Sequence, residues 1–381
     1  MNSNNESYYR EIIDGLSISG NRRYLKDNCN LDNLINLSGN DYLGIASDYS
    51  VQDKFMEWLK ESESQFLMGS CSSRLLCANS RYYSFLENRL SDLSQKEAAL
   101  LFNSGYHVNT GILPALVCRD SIIIADKLVH ASLIDGIKLS GAEFERFKHN
   151  DIEHLKKILC KRANSFKKVF VVVESLYSMD GDFADIEAII QLKKQYDNII
   201  LYVDEAHSVG VYGDTLMGYC SYKNLLDSVD ILVGTFGKAF GSYGAFVLCS
   251  QTIKDVLINR CRSLIYSTII PPITVMFNLF LLDNLEIMRS RQIHLQKKVG
   301  YFKHLGACSH IVPIVVGSSQ NAMVASQTMI DQGFYLLPIR PPTVAEGSCR
   351  LRLSLSSSLS DESLFKLVKI IDNFYEDKYN R

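Results

Sequence analysis

The sequence carries almost no net charge: positive and negative side chains nearly cancel, leaving −2 over 381 residues. That balance removes any electrostatic case for a nucleic-acid partner or an acidic membrane surface. Among ten cysteines scattered from Cys29 to Cys349 there is no Cys-x-x-Cys pair. Cysteine used this way is a small buried apolar residue in a reducing compartment. The opening residues, Met1 to Glu6, are polar and lack the basic and apolar segments of a signal peptide. Ser263 to Leu282 contains no formal charge, but Pro271-Pro272 divides it. A spanning helix needs about 20 mainly apolar residues. The expectation is two pieces instead, a strand or loop through Tyr266 and a buried helix from Pro272. Internal repeats and low-complexity segments are also missing. Together these absences point to a cytoplasmic protein.

The length suits two domains, and 47% apolar residues can fill a large core. Residues 1–45 read as an N-terminal helix, with Tyr8, Tyr9, Ile12, Ile13 and Leu16 on one face, followed by a short strand and turn. Residues 46–280 form a large α/β domain, and residues 281–381 a smaller α+β domain. Within the large unit, short apolar runs alternate with amphipathic stretches: Ala98–Leu101, Ser121–Ala125, Lys168–Glu174, Ile199–Val203, Ile231–Val233 and Ala245–Cys249. Such runs are the mark of a mainly parallel sheet covered on both faces. Polar residues follow the carboxyl ends of these runs, where open α/β sheets bind ligands. Asn103 to Tyr106, His130, Ser178, Asp204, His207, Thr235 and Lys238 are therefore expected to meet in one crevice.

The most informative stretch is Asp230 to Gly244, an apolar strand running into a loop with glycines at 234, 237, 241 and 244. Lys238 is the only cation in it. A P-loop is excluded, because Leu232 stands where its first glycine belongs and Ala239 follows the lysine. A lysine among Phe236, Phe240 and small residues loses hydration, and desolvation lowers its pKa toward that of an imine-forming amine. Asp204 closes an apolar strand and suits a protonated ring nitrogen. The loops at Gly105-Tyr106 and Thr235 offer donors to a phosphate, and His130 offers a flat ring for stacking. A phosphorylated pyridine aldehyde needs these four services together, so the inferred cofactor is pyridoxal 5'-phosphate.

These residues also resemble a known family, the α-oxoamine synthases, which are fold-type I pyridoxal-phosphate enzymes. The similarity runs from Asn40-Asp-Tyr-Leu-Gly44 to Arg350-Leu-Arg-Leu353. It is carried by His130-Ala-Ser-Leu133, His149-Asn-Asp151, Ser178-Met-Asp-Gly-Asp182, Asp204-Glu-Ala-His207, Thr235-Phe-Gly-Lys238 and Tyr266-Ser-Thr268. The loop Ile339-Arg-Pro-Pro-Thr-Val344 resembles the branch that serves biotin biosynthesis.

The resemblance implies a catalytic set of Lys238, His130 and Asp204. Lys238 would hold the cofactor covalently and move the substrate α-proton, with Asp204 at the pyridine nitrogen. Ser178 and His207 would bond the ring hydroxyl, and His130 would stack on the ring. Gly105, Tyr106 and Thr235 would hold the phosphate, with Thr268 reaching it from a second subunit. Arg22, Asn40, Thr343 and Arg352 would contact substrate, Arg352 gripping the amino-acid carboxylate. The implied reaction is a decarboxylative condensation of L-alanine with pimeloyl-CoA or a pimeloyl carrier protein, in a homodimer with its crevice at the subunit interface. Relatives joining glycine to acetyl-CoA, or serine to long acyl chains, are the alternatives. Two departures stand out: Gly69-Ser-Cys-Ser-Ser-Arg74 has side chains where the family has glycines, and Asn21 occupies the register of a basic substrate residue, with Arg22 and Arg23 beside it.

Overall fold

The computed structural model describes residues 3–19, 22–25, 33–61 and 67–379; Asn21 lies outside them. The strands in chain order are β1 (Ile35–Asn36), β2 (Ala98–Phe102), β3 (Ser121–Asp126), β4 (Glu143–Phe147), β5 (Lys168–Glu174), β6 (Ile199–Asp204), β7 (Ile231–Thr235), β8 (Ala245–Cys249), β9 (Ile311–Gly317), β10 (Phe334–Tyr335), β11 (Pro338–Ile339) and β12 (Cys349–Ser354). Seven of them form one sheet in the order β2-β8-β7-β6-β5-β3-β4. β3 through β7 pair in parallel, and β8 runs antiparallel to both its neighbours. The expected mainly parallel α/β sheet is what forms.

Successive strand residues point to opposite faces. One core therefore gathers Ile122, Ile124, Val169, Val171, Leu201 and Val203, while the other takes Ile123, Ala125, Phe170, Val172 and Tyr202. Helices cover both faces, which is why the strands read as unbroken apolar runs rather than alternating ones. Helix Gly105–Leu116 crosses helix Ala131–Ser140 very closely: a Cβ on Gly136 would stand 2.2 Å from the carbonyl oxygen of Asn109. That approach seats Asn109 beneath the carboxyl end of β6.

A second, antiparallel sheet has the order β11-β12-β9. The short β1 pairs in parallel with β10, so the N-terminal segment joins the C-terminal part of the chain. One expectation is corrected. Arg262–Ile265 is a short helix, not a strand or loop. The apolar stretch 263–282 is largely consumed in the chain's own interior: Val275, Met276, Leu281 and Leu282 of helix Pro272–Asp283 are fully buried, packed toward helix Arg81–Ser94. Tyr266, at the start of the stretch, stays exposed. Among the described residues, no helix is long and apolar enough to cross a membrane.

Candidate active site

Five loops leave the carboxyl edge of the large sheet toward one place. After β7, Thr235 turns the chain: its hydroxyl donates to the Gly244 carbonyl at 3.0 Å and accepts from the Gly237 amide at 3.1 Å. This pins the loop that presents Lys238. The lysine Nζ lies 2.8 Å from His207 Nε2. Burial lowers the Lys238 amine to about 8, against the opposing charges of Asp204 and Glu174. Such an amine is largely desolvated and gives up its proton far more readily than a solvated lysine, as imine chemistry requires.

Asp204 ends β6. One carboxylate oxygen accepts from Asn109 Nδ2 at 2.7 Å and the other from the Ala206 amide at 2.9 Å. Asn109 in turn accepts from the Tyr202 hydroxyl at 2.6 Å and donates to Ser132 at 2.9 Å. The carboxylate is thus held in orientation from below, leaving its charge toward the crevice. Glu174 is its register partner on β5. Burial first, then the charge of Asp204, pushes Glu174 up to about 8, and its Oε1 is buried with no hydrogen-bond partner.

His130 caps the helix that follows it, its Nδ1 lying 2.8 Å from the Ser132 hydroxyl. Crowding by protein lowers its basicity, with Asp204 working in the opposite sense and Lys238 in the same one. Gly105 and Tyr106 open helix Gly105–Leu116, whose first turn is capped by Ser104. Space beside Gly105 is open, with nothing within 4 Å of a Cβ position. Free amides at a helix start are a natural anion seat. Asn103 donates to the Ser267 hydroxyl at 2.8 Å and to the Thr268 carbonyl at 2.6 Å, so Thr268 of this same chain stands beside the Gly105 loop.

A second cluster meets the first. Arg352 on β12 is buried; it donates to Asn40 Oδ1 at 3.0 Å, the Ser354 hydroxyl at 2.7 Å, the Tyr42 hydroxyl at 3.1 Å and the carbonyl of Ser178. It meets no carboxylate among the described residues. A buried guanidinium without a counter-ion is costly unless an anion completes it. The Tyr42 hydroxyl is also 2.7 Å from His207 Nδ1. His207 is held well below the ordinary histidine range, first by burial and then by the charges of Lys238 and Arg352.

The outlying residues are placed differently. Arg22 turns to its own segment, near Ser17 at 3.4 Å and over the Tyr24 ring at 4.9 Å. Arg23, not Arg22, reaches Thr343, at 3.3 Å. Three residues at the centre escaped the sequence reading of the site: Tyr42, Asn109 and Glu174. Only Tyr42 sat in a motif that was singled out.

The donor set fits pyridoxal phosphate: a buried amine of lowered basicity, a carboxylate oriented for a ring nitrogen, an imidazole beside the amine, and an open helix start for a phosphate. A family model described as aminotransferase class I and II matches residues 32–371. An 8-amino-7-oxononanoate synthase from Haemophilus ducreyi is 44% identical over 348 residues, covering 88% of this chain and 90% of that protein. The solved 8-amino-7-oxononanoate synthase from Francisella tularensis superposes with a TM-score of 0.74 at 26% identity, covering 91% of this chain and 99% of that one. A serine palmitoyltransferase from S. paucimobilis, solved with bound PLP–myriocin aldimine, superposes with a TM-score of 0.81 at 28% identity, covering 89% and 86%.

Proposed function

Because the chain belongs to the aminotransferase class I and II family, and within it to the α-oxoamine synthases, we propose that it condenses L-alanine with a pimeloyl thioester, on coenzyme A or a carrier protein, to give 8-amino-7-oxononanoate and CO2 for biotin biosynthesis. The observation that carries this reading is the pairing of a desolvated amine at Lys238 with a buried guanidinium at Arg352 that has no carboxylate partner among the described residues. One group suits covalent attachment, the other the carboxylate of an amino acid.

Pyridoxal phosphate, when bound, supplies an electron sink for the amino-acid α-carbon. The chain's residues do the rest. Lys238 would anchor the cofactor and, with its basicity lowered by burial, would take the α-proton. Asp204, fixed by Asn109, would keep a proton on the ring nitrogen. His207 and Ser178 would serve the ring hydroxyl, and His130 would stack on the ring and assist at the thioester oxygen. Amides at Gly105 and Tyr106 would hold the phosphate, with Thr235 donating its hydroxyl proton to it after that proton turns away from the Gly244 carbonyl. Arg352 and Asn40 receive the alanine carboxylate, and Thr343 with its neighbour Arg23 belongs to the acyl end.

A homodimer is part of this reading, as is a cytoplasmic location. Leu67, Met68, Leu75, Leu76 and Tyr266 are exposed on segments tied together by the Ile269 amide and the Ser72 carbonyl. Exposed apolar side chains beside the crevice suit burial against a second copy, which would bring in that copy's Thr268. The test is direct. Purified chain with pyridoxal phosphate is offered L-alanine, glycine or L-serine with acyl-CoA thioesters of graded length, and products are read by mass. Alanine with the pimeloyl chain supports the proposal. Preference for glycine with acetyl-CoA, or serine with a long chain, replaces it with one of the sibling reactions.

A further inference from the structure

One hydroxyl joins the two halves of the site. Tyr42 is 1% exposed, and its oxygen lies 2.7 Å from His207 Nδ1, 3.0 Å from Asn40 Oδ1 and 3.1 Å from Arg352 NH2. Nothing in the functional reading above gives this side chain a role, yet it touches three residues that have one. We propose that Tyr42 is a positioning residue whose O–H donates to Nδ1 of His207, fixing the imidazole proton on Nε2 once Lys238 is deprotonated or joined to the cofactor, while its oxygen accepts from Arg352 and holds the carboxylate-binding guanidinium in place. The inference rests on the functional reading for its purpose, though not for its geometry.

The assignment of the proton follows from counting donors. Arg352 can only donate, so toward it the phenol oxygen is an acceptor. The single phenol proton then has two acceptors within reach. Asn40 Oδ1, at 3.0 Å, could take the phenol proton beside its bond from Arg352 Nη1, but its acceptor need is already met, whereas His207 Nδ1 is the shorter contact at 2.7 Å and has the Tyr42 hydroxyl as its hydrogen-bond partner. Burial keeps His207 neutral, helped by the charge of Lys238 while that amine is protonated and by Arg352. Once Lys238 has lost its proton, above about 8, a neutral imidazole that accepts at Nδ1 carries its own proton at Nε2, the atom 2.8 Å from the Lys238 amine. That nitrogen then donates to the neutral amine or to a ring oxygen of the cofactor, whereas a protonated Lys238 would donate to it.

The ring of Tyr42 is itself held. His310 stands edge-on to it with centroids 4.1 Å apart, fully buried and with neither ring nitrogen hydrogen-bonded. Burial, with Arg352 and Lys238 beyond, pushes His310 down to about 3, so it stays uncharged. It therefore packs against the phenol as a neutral slab and offers the hydroxyl no competing partner.

The test is Tyr42→Phe, which keeps the ring and removes one oxygen. Full-length chain carrying 15N-histidine is compared with the variant above pH 8, first free and then with pyridoxal phosphate, His207 being assigned with His207→Asn. In the unmodified chain the two ring nitrogens of His207 are expected to give widely separated signals of a single Nε2–H form. In Tyr42→Phe they are expected to converge as both tautomers populate. The KM for L-alanine should rise about tenfold, the scale of one hydrogen bond to a charged group, with kcat falling less. Melting temperature checks that the variant folds; if it does not, Asn40→Ala, which leaves the Tyr42–His207 contact, must keep the signals apart. Unchanged nitrogen shifts in a folded Tyr42→Phe, or converging signals in Asn40→Ala, overturn the proposal. Failure of the unmodified chain to take up pyridoxal phosphate would instead overturn the functional reading, and the measurement on free chain would stand apart from it.

Discussion

Glu174 and Asp204 end adjacent parallel strands in register, so that two carboxyl groups stand side by side at the mouth of the sheet, both acting on the charge of Lys238. Like charges this close do not both ionise readily. Burial and the Asp204 charge raise Glu174 to about 8, so its folded value lies above its unfolded one. Stability from the neutral form is complete below the ordinary range near 4.5 and is lost as pH rises through about 8. Replacing Glu174 by Gln removes that loss. Urea unfolding should therefore show Glu174→Gln gaining on the unmodified chain between these pH values; a pH-independent difference would refute the protonated glutamate.

His149 behaves in the opposite chemical sense. It bridges Asp126 and Asp182 at 2.9 Å to each. Burial disfavours its charge, but the bonds and charges of the two aspartates prevail and raise it to about 10. Its contribution is full below the ordinary histidine range near 6.5 and fades as pH rises toward about 10. His149→Ala should cost roughly 1–2 kcal/mol near pH 6, with the gap narrowing by pH 10. A gap that stays constant would assign the loss to packing alone.

Arg352 is the residue whose conservative replacement should be least conservative. Lysine cannot reproduce four donated bonds in one plane. Arg352→Lys is expected to raise the KM for L-alanine roughly 10- to 100-fold, since bonds to charged groups are worth about 1.5–3 kcal/mol each. Uptake of pyridoxal phosphate should persist. An unchanged KM would move the carboxylate site elsewhere.

Gly136 tests how the fold positions the chemistry. An added methyl meets the Asn109 carbonyl oxygen at 2.2 Å, so helices Gly105–Leu116 and Ala131–Ser140 must separate. Gly136→Ala should cost about 1–3 kcal/mol, as overpacking does, and should weaken cofactor affinity, because Asn109 steadies Asp204. Full affinity in a destabilised variant would uncouple that helix contact from the site.

Much of this architecture was legible in the residue order, for a physical reason. Strands buried on both faces must be apolar throughout, so Lys168–Glu174 and Ala245–Cys249 stand out from their surroundings and end where expected. The edge strand Glu143–Phe147 did not stand out: its Glu143, Phe144 and Glu145 are exposed or partly so, and the run Glu-Phe-Glu-Arg-Phe looks like surface. β1 and β10 have two residues each, too few for any periodicity. At the site, residues after strand ends were visible because polar groups there break an apolar pattern. Asn109 was hidden inside a helix, Glu174 looked like the close of a strand, and Tyr42 looked like an ordinary turn aromatic. The meaning of Asn109 and Tyr42 lies in contacts 93 to 310 residues distant in sequence, such as Tyr202 to Asn109 and Arg352 to Tyr42, and that of Glu174 in its strand pairing with Asp204.

The central claim is a covalent bond at one amine. Purified chain incubated with pyridoxal phosphate, reduced with borohydride and digested, is read by peptide mass. The expected result is a stoichiometric pyridoxyl adduct on Lys238, lost together with the cofactor's visible absorbance in Lys238→Ala, whose turnover should fall ~10³-fold or more, as loss of a positioned acid–base group does. An unmodified Lys238 peptide, or an adduct spread over surface lysines with absorbance intact in Lys238→Ala, would contradict it.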